Sequence, residues 1–231
     1  MIMTLSSPDW QYQRRNGSRP VVLLPGWATD ARVFAGLDIP SDVIRPTYPL
    51  TGDIDSLAEF LRERESAPAL LLGWSLGGFA AVRFARRYPA LVERVVLVGI
   101  RGRYPAGQLD EKRQTVRRDR LCCLTDFYRQ CFLPAQRADY RRFRVELEPA
   151  YLSRFTAVEL EAGLDYLERI ALEPDDLPPG TIIVHGAKDI IAPPAEACRL
   201  ARDAGAVLHL LPRAGHAAFL AEDFLSICSI R

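Results

Sequence analysis

The sequence is short of lysine, histidine, net charge and long apolar runs, and each shortage narrows what the chain can be. Only Lys112 and Lys188 carry an ammonium group, so nearly all of the 30 basic side chains are arginine, a bias that reads as genome composition rather than function. The 30 are balanced by 29 acidic residues to a net charge of +1, which as a total asks for neither nucleic acid nor an anionic membrane. No stretch approaches the ~18 consecutive apolar residues of a membrane span. The start, MIMTLSSPDW, lacks a basic segment followed by an apolar run, so a soluble, cytoplasmic protein is expected. Five cysteines, an odd number with no CxxC pair and matching histidines, argue against a disulfide framework or a zinc site and suit thiols in a reducing compartment.

What is present is a 231-residue chain with 48% hydrophobic residues, enough for a sizeable core within one domain. Short runs of Val, Ile and Leu alternate with longer amphipathic segments, the pattern of a mostly parallel sheet covered by helices on both faces. Buried strands are expected at 21–24, 43–47, 69–73, 95–98, 182–185 and 207–211, and residues 10–14 alternate as one antiparallel edge strand would. Helices are expected at 53–64, with an acidic first turn and Ile54, Leu57, Phe60 and Leu61 at helical spacing, and at 76–88, stopped by Pro89. Two more are expected at 193–204, between prolines and Gly205, and at 219–227. Residues 101–179 break the alternation: they are helical in character, rich in arginine and free of any run fit for a central strand, with Pro174, Pro178, Pro179 and Gly180 at the exit. The expected organisation is an α/β core at 1–100 and 180–231 with a helical cap inserted at 101–179.

The chemistry is carried by Leu70-Leu-Leu-Gly-Trp-Ser75-Leu-Gly-Gly78, a GxSxG pattern that follows an expected strand and opens an expected helix. That context is a nucleophile elbow, in which Gly73 and Gly77 permit a turn too tight for side chains and present Ser75 at the carboxyl end of the sheet. A serine hydroxyl needs a base, and only three histidines exist. His185 ends a strand and His209 lies within one, as packed histidines do, whereas His216 follows the last strand in a loop above the same sheet edge as Ser75. Asp189, in the loop after strand 182–185, is placed to hold the far imidazole nitrogen, and no carboxylate precedes Asp110 after strand 95–98. An oxyanion hole would use the backbone amides of Leu76 and of Trp27 in Leu24-Pro-Gly-Trp27, the Trp27 ring lining the pocket or simply joining the core.

Pro-Gly-Trp27, Gly-Trp-Ser75-Leu-Gly-Gly, Gly-Ala-Lys-Asp189 with Pro193 beyond it, and Gly-His216-Ala-Ala-Phe219 together resemble the α/β-hydrolase family and, within it, the pimeloyl-[acyl-carrier protein] methyl ester esterases of biotin synthesis. The likeness spans 21–224 and covers the cap weakly. It departs at Pro25, where the family usually has histidine. What the resemblance implies is a serine carboxylesterase that needs no cofactor or metal and cleaves a methyl ester through an acyl-enzyme, with an acyl carrier protein bearing the substrate as partner. The apolar side of the cap would complete the acyl pocket, with Phe127, Phe132, Phe143 and Phe155 as the available phenylalanines and Phe127 favoured by likeness to the family's cap helix. Small ester substrates remain open to it.

The carrier is acidic, which gives the arginines a physical reading. Between Arg101 and Arg144 there are twelve basic against five acidic side chains, a local excess of seven positive charges fit to steer an anionic partner. Arg137, Arg141 and Arg144 fall at helical spacing, with Arg142 beside them, as candidate docking residues. Other readings are a general short-chain carboxylesterase, a thioester or carbon-carbon bond hydrolase or lyase using the same triad, and a non-catalytic binding protein that kept the fold.

Overall fold

The computed structural model describes residues 10–15, 19–47, 54–132 and 134–230. Most of the start read for a leader, and Asp53 of the first expected helix, lie outside them.

The apolar runs do become the sheet. Its strands are β1 (Trp10–Gln13), β2 (Val21–Leu24), β3 (Val43–Pro46), β4 (Ala69–Trp74), β5 (Val92–Val98), β6 (Ile182–Gly186) and β7 (Val207–Leu211), in the order β1-β3-β2-β4-β5-β6-β7. β1 runs antiparallel to β3 and every other pairing is parallel. All six residues of β4 are buried, as a central strand covered on both faces requires. At about 1.5–3 kcal/mol for each large apolar side chain taken from water, such strands supply much of the driving force for the layer. β5 starts three residues earlier than expected because the charged pair Glu93 and Arg94 lies within it, where Val92 and Arg94 pair with Ala69 and Leu70 across an irregular step.

The helices of the core are α1 (Asp55–Glu63), α2 (Leu76–Arg87) and, after the helical segment, α8 (Pro194–Ala204), which ends on Gly205 in the left-handed conformation at φ +66°. Between β5 and β6 stand α3 (Ala106–Arg118), α4 (Arg120–Phe132), α5 (Arg137–Glu146), α6 (Glu148–Arg154) and α7 (Ala157–Arg169), with no strand among the described residues there. α7 opens on a capping box in which Thr156 and Glu159 satisfy each other's backbone amides. The helical segment is tied to the loop after β2: the Trp27 indole donates to the Leu160 carbonyl at 2.9 Å and the Tyr128 hydroxyl donates to that of Ala28 at 2.7 Å.

The expected last helix at 219–227 is instead a 3-10 turn, Ala218–Leu220, an extended Ala221, and the short α9 (Phe224–Ile227). Phe219 and Phe224 are both completely buried, and on one continuous helix two residues five apart would point about 140° away from each other. The break lets both rings enter the core.

Candidate active site

β2, β4, β5, β6 and β7 run in parallel, so the loops after them meet at one edge of the sheet, where Trp27, Ser75, Asp189 and His216 all lie. Ser75 stands between β4 and α2 with φ +52° and ψ −118°, a conformation a residue with a side chain adopts only at a cost of roughly 1–3 kcal/mol. Its amide is fixed by the Val98 carbonyl at 2.8 Å. The glycines around it are required by contact rather than flexibility. A Cβ on Gly73 would lie 2.5 Å from the Gly77 carbonyl oxygen, and one on Gly77 would lie 2.1 Å from that of Leu24. This is the strained elbow the motif predicts.

Asp189 is buried in the loop after β6. One carboxylate oxygen accepts the amides of Ile191 and Ala192, each at 2.9 Å, and the other faces His216 Nδ1 at 2.7 Å. Burial alone would push this carboxyl up; the charge and hydrogen bond of His216, helped by His185 and the Ala192 amide, outweigh it and hold Asp189 below the ordinary carboxylate range. Asp189 thus takes up Nδ1 of His216, and Nε2 is buried without a hydrogen-bond partner. His185 is the packed histidine expected: its Nε2 lies 2.9 Å from the Ala192 carbonyl and 3.3 Å from Asp189, and burial above all lowers its pKa, against the pull of that carboxylate.

Three neighbours hold His216. The Trp74 indole donates to its carbonyl at 2.9 Å. Gln136, from the turn between α4 and α5, accepts the Gly215 amide at 2.9 Å and donates to the Ala217 carbonyl at 3.0 Å, bracing the loop on both sides of the histidine. Gly99, left-handed at φ +57°, makes room for the ring, since a Cβ there would sit 2.9 Å from His216 Nδ1. Neither Gln136 nor Gly99 bore a motif. The only sequence signal was a glycine directly after a strand.

Ser75 and His216 are not joined by a hydrogen bond. The Ser75 hydroxyl instead pairs with Tyr104 at 3.3 Å, a residue that belongs to no motif in the sequence. Beside the serine is a cavity of about 330 Å3, lined among others by Trp27, Tyr104, Phe127, Leu164 and Ile191. Trp27 and Phe127 meet edge to face at 4.8 Å, so both candidate pocket rings do face this space. The loop carrying Trp27 runs close to the serine, a Cβ on Gly26 falling 3.3 Å from that of Ser75, and the Leu76 amide opens α2, where no intrahelical acceptor exists for it. Among the described residues no cluster of three or more metal-ligating side chains occurs, and no helix is long and apolar enough to cross a membrane.

The arginine excess is smaller than the local count suggests. Arg101 pairs with Glu196, Arg113 with Asp110, Asp165 and Glu168, and Arg117 with Glu161, using carboxylates that mostly lie outside the counted stretch. On α5, Arg137, Arg141, Arg142 and Arg144 are all exposed. Arg144 reaches Glu148 at 3.4 Å, and Arg142 lies against Gly36.

Comparison with known proteins finds relatives both in sequence and in fold. Chains named pimeloyl-[acyl-carrier protein] methyl ester esterase from Neisseria meningitidis serogroup C and Nitrosomonas europaea are each 28% identical, over 93% and 89% of this chain and 96% and 92% of theirs. A thermophilic esterase from Thermogutta terrifontis superposes with a TM-score of 0.79 at 21% identity, covering 99% of this chain and 93% of its own. An enol-lactonase from Burkholderia xenovorans gives 0.77 at 18%, covering 96% and 94%. The profile of the alpha/beta hydrolase family matches residues 4–225, and the chain belongs to that family.

Proposed function

We propose that the chain is a serine carboxylesterase whose nucleophile is Ser75, with His216 as general base, Asp189 as its orienting acid and the amides of Trp27 and Leu76 as the oxyanion hole. The observation that carries this reading is the buried Asp189–His216 pair, which engages Nδ1 and leaves Nε2 without a partner at the sheet edge that holds the strained Ser75. Ser75 turns from Tyr104 toward Nε2 and attacks the ester carbonyl as its proton passes to the histidine; the alcohol departs with that proton. Water activated by the same imidazole then releases the acid. The side chains and amides supply nucleophile, base and charge stabilisation, so the reaction requires no metal or organic cofactor.

The physiological substrate we propose is the methyl ester of a pimeloyl chain on acyl carrier protein, the activity that names the relatives above. Residues 101–179 act as the cap: Phe127 and Trp27 line the acyl pocket, and the exposed Arg137, Arg141, Arg142 and Arg144 of α5 receive the acidic carrier. The test compares turnover of the carrier-bound ester with that of the free methyl ester at low and high salt, for the wild type and for Arg137→Ala/Arg141→Ala/Arg144→Ala. The triple variant is expected to lose about tenfold or more in kcat/KM on the carrier substrate at low salt and little on the free ester, with salt narrowing the gap. Equal losses on both would leave a general short-chain carboxylesterase.

A further inference from the structure

The hydroxyl of Tyr104 lies within hydrogen-bond distance of the Ser75 oxygen, at 3.3 Å. The chain that carries it leaves the sheet on the opposite flank of β4 from the loop of Trp27. Trp27 follows β2, on one flank of β4; Tyr104 follows β5, on the other flank, where His216 packs against Gly99. The phenol is held firmly. Its ring lies 6.3 Å from that of Phe79, and the Arg101 guanidinium stacks on it at 5.0 Å. Arg101 is itself buried and fixed by two hydrogen bonds to Glu196, at 2.6 and 3.1 Å, and one to Gln108 at 3.2 Å. Desolvation, the largest influence, pushes the phenol up to about 12, so it is a neutral O–H donor throughout the working range of a histidine base.

In the tetrahedral intermediate the carbon bonded to Ser75 Oγ carries an oxyanion, an alkoxy oxygen and the acyl chain. The oxyanion faces the amides on the β2 flank. The alkoxy oxygen must face the histidine that protonates it, which is the β5 flank. An atom bonded to that carbon lies about 2.4 Å from Oγ, within reach of a donor that already touches Oγ. We propose that Tyr104 is a further catalytic residue of the esterase reaction, its hydroxyl donating a hydrogen bond to the alkoxy oxygen of the leaving alcohol. This inference rests on the serine esterase reading above.

The step balances simply. The bond from carbon to the alkoxy oxygen breaks, its electron pair leaves with that oxygen, the proton on His216 Nε2 moves to it, and the carbonyl re-forms. Tyr104 keeps its proton throughout and eases the charge that gathers on the departing oxygen. Before substrate arrives, the serine hydroxyl occupies the same phenol, which accounts for a Ser75 engaged with Tyr104 while Nε2 of His216 stands unpartnered.

A donor to the leaving group matters in proportion to how poor that group is. Tyr104→Phe keeps the ring against Phe79 and Arg101 and removes only the hydroxyl. Its kcat/KM for methyl butyrate is expected to fall about tenfold, the size of one lost hydrogen bond. For p-nitrophenyl butyrate, whose leaving group departs unassisted, the loss should stay under about twofold. Labelling of Ser75 by a fluorophosphonate, which expels fluoride, should not slow. Tyr104→Leu, lacking ring and hydroxyl together, should show the same split between the two esters and guards against a misfolded first variant. Equal losses on both esters, or none on either, would overturn the role of Tyr104. The underlying reading fails by a different sign: Ser75→Ala that still labels, or that hydrolyses p-nitrophenyl butyrate like the wild type.

Discussion

The sheet edge and the helical segment above it are held by different physics. At the edge, backbone meets backbone: Gly73, Gly77 and Gly186 each lie where an added Cβ would fall 2.1 to 2.5 Å from a carbonyl oxygen. No side chain there can be exchanged for another of similar size, because there is no side chain. The helical segment has an aromatic centre of Tyr128, Phe132, Phe143 and Tyr151, with rings 5.0 to 5.9 Å apart, and an outer set of arginine–carboxylate pairs. Such a layer tolerates gradual change. The contrast predicts that small substitutions at the edge abolish chemistry in steps, whereas larger ones in the helical segment shift stability by degrees.

The sharpest way to break this contrast is Gly99→Ala. The residue is left-handed, a conformation costing about 1–2 kcal/mol once a Cβ is present. The new methyl would also press on both the ring and the carbonyl of His216 at 2.9 Å. With His216 in its proposed role as general base, displacing the ring by a fraction of an ångström to about 1 Å would cost up to about 10² in rate. We expect kcat for a small soluble ester to fall roughly a hundredfold while the protein still unfolds cooperatively. Near-normal kcat would mean that the imidazole tolerates movement and that the edge is softer than its contacts imply.

How much of this could be read beforehand follows the same division. The strands, the close turn at Ser75, and the loops that bring Asp189 and His216 to the same sheet edge were legible, because buried parallel strands and close backbone contacts force particular residue types into short local patterns. Tyr104, Gln136 and Gly99 were not, since each acts through a contact with a distant part of the chain and none carries a periodic signature. The arginines misled in a related way. Counting charge along the chain between Arg101 and Arg144 missed Asp165, Glu168, Glu161 and Glu196, which fold back to meet them. The helix expected at 219–227 failed because periodicity over nine residues cannot foresee that Phe219 and Phe224 must both be buried.

Asp30 joins the two regions and offers a test of intermediate size. It follows β2, caps the turn Ala31–Phe34, pairs with Arg32 at 2.7 Å and accepts the Tyr151 hydroxyl of the helical segment at 3.1 Å. Burial pushes its carboxyl up, but the hydrogen bonds and charge of Arg32 prevail and lower it below 3.8. A depressed native pKa means stabilisation that is complete above the unfolded value and disappears as pH falls through the native one. Asp30→Asn should therefore lower the melting temperature by about 3–6 °C at pH 7. The gap from the wild type should close as the pH falls below the ordinary carboxylate range and through the lowered native pKa. A gap independent of pH would assign the loss to packing instead of charge.

The smallest effect separates two arginines on α3. Arg113 is nearly buried, its side chain 11% exposed, and it meets three carboxylates, Asp110, Asp165 and Glu168, at 2.6 to 2.9 Å. Arg117, one turn further on, is 64% exposed and among the described residues pairs with Glu161 alone. Both look the same in a count of surface ion pairs. Solvent and salt screen the second, whereas removing the first leaves three carboxylates crowded together between α3 and α7 without their shared cation. Arg113→Met should lower the melting temperature by about 3–6 °C, and Arg117→Met should leave it within about 2 °C of the wild type. Adding salt should not rescue Arg117→Met, since there is little to rescue, but should partly relieve Arg113→Met by screening the exposed carboxylates from one another. Equal shifts for the two variants would show that neither the burial of the guanidinium nor the number of its partners bears on how the helical segment is held, and would remove the distinction between its inner and outer layers.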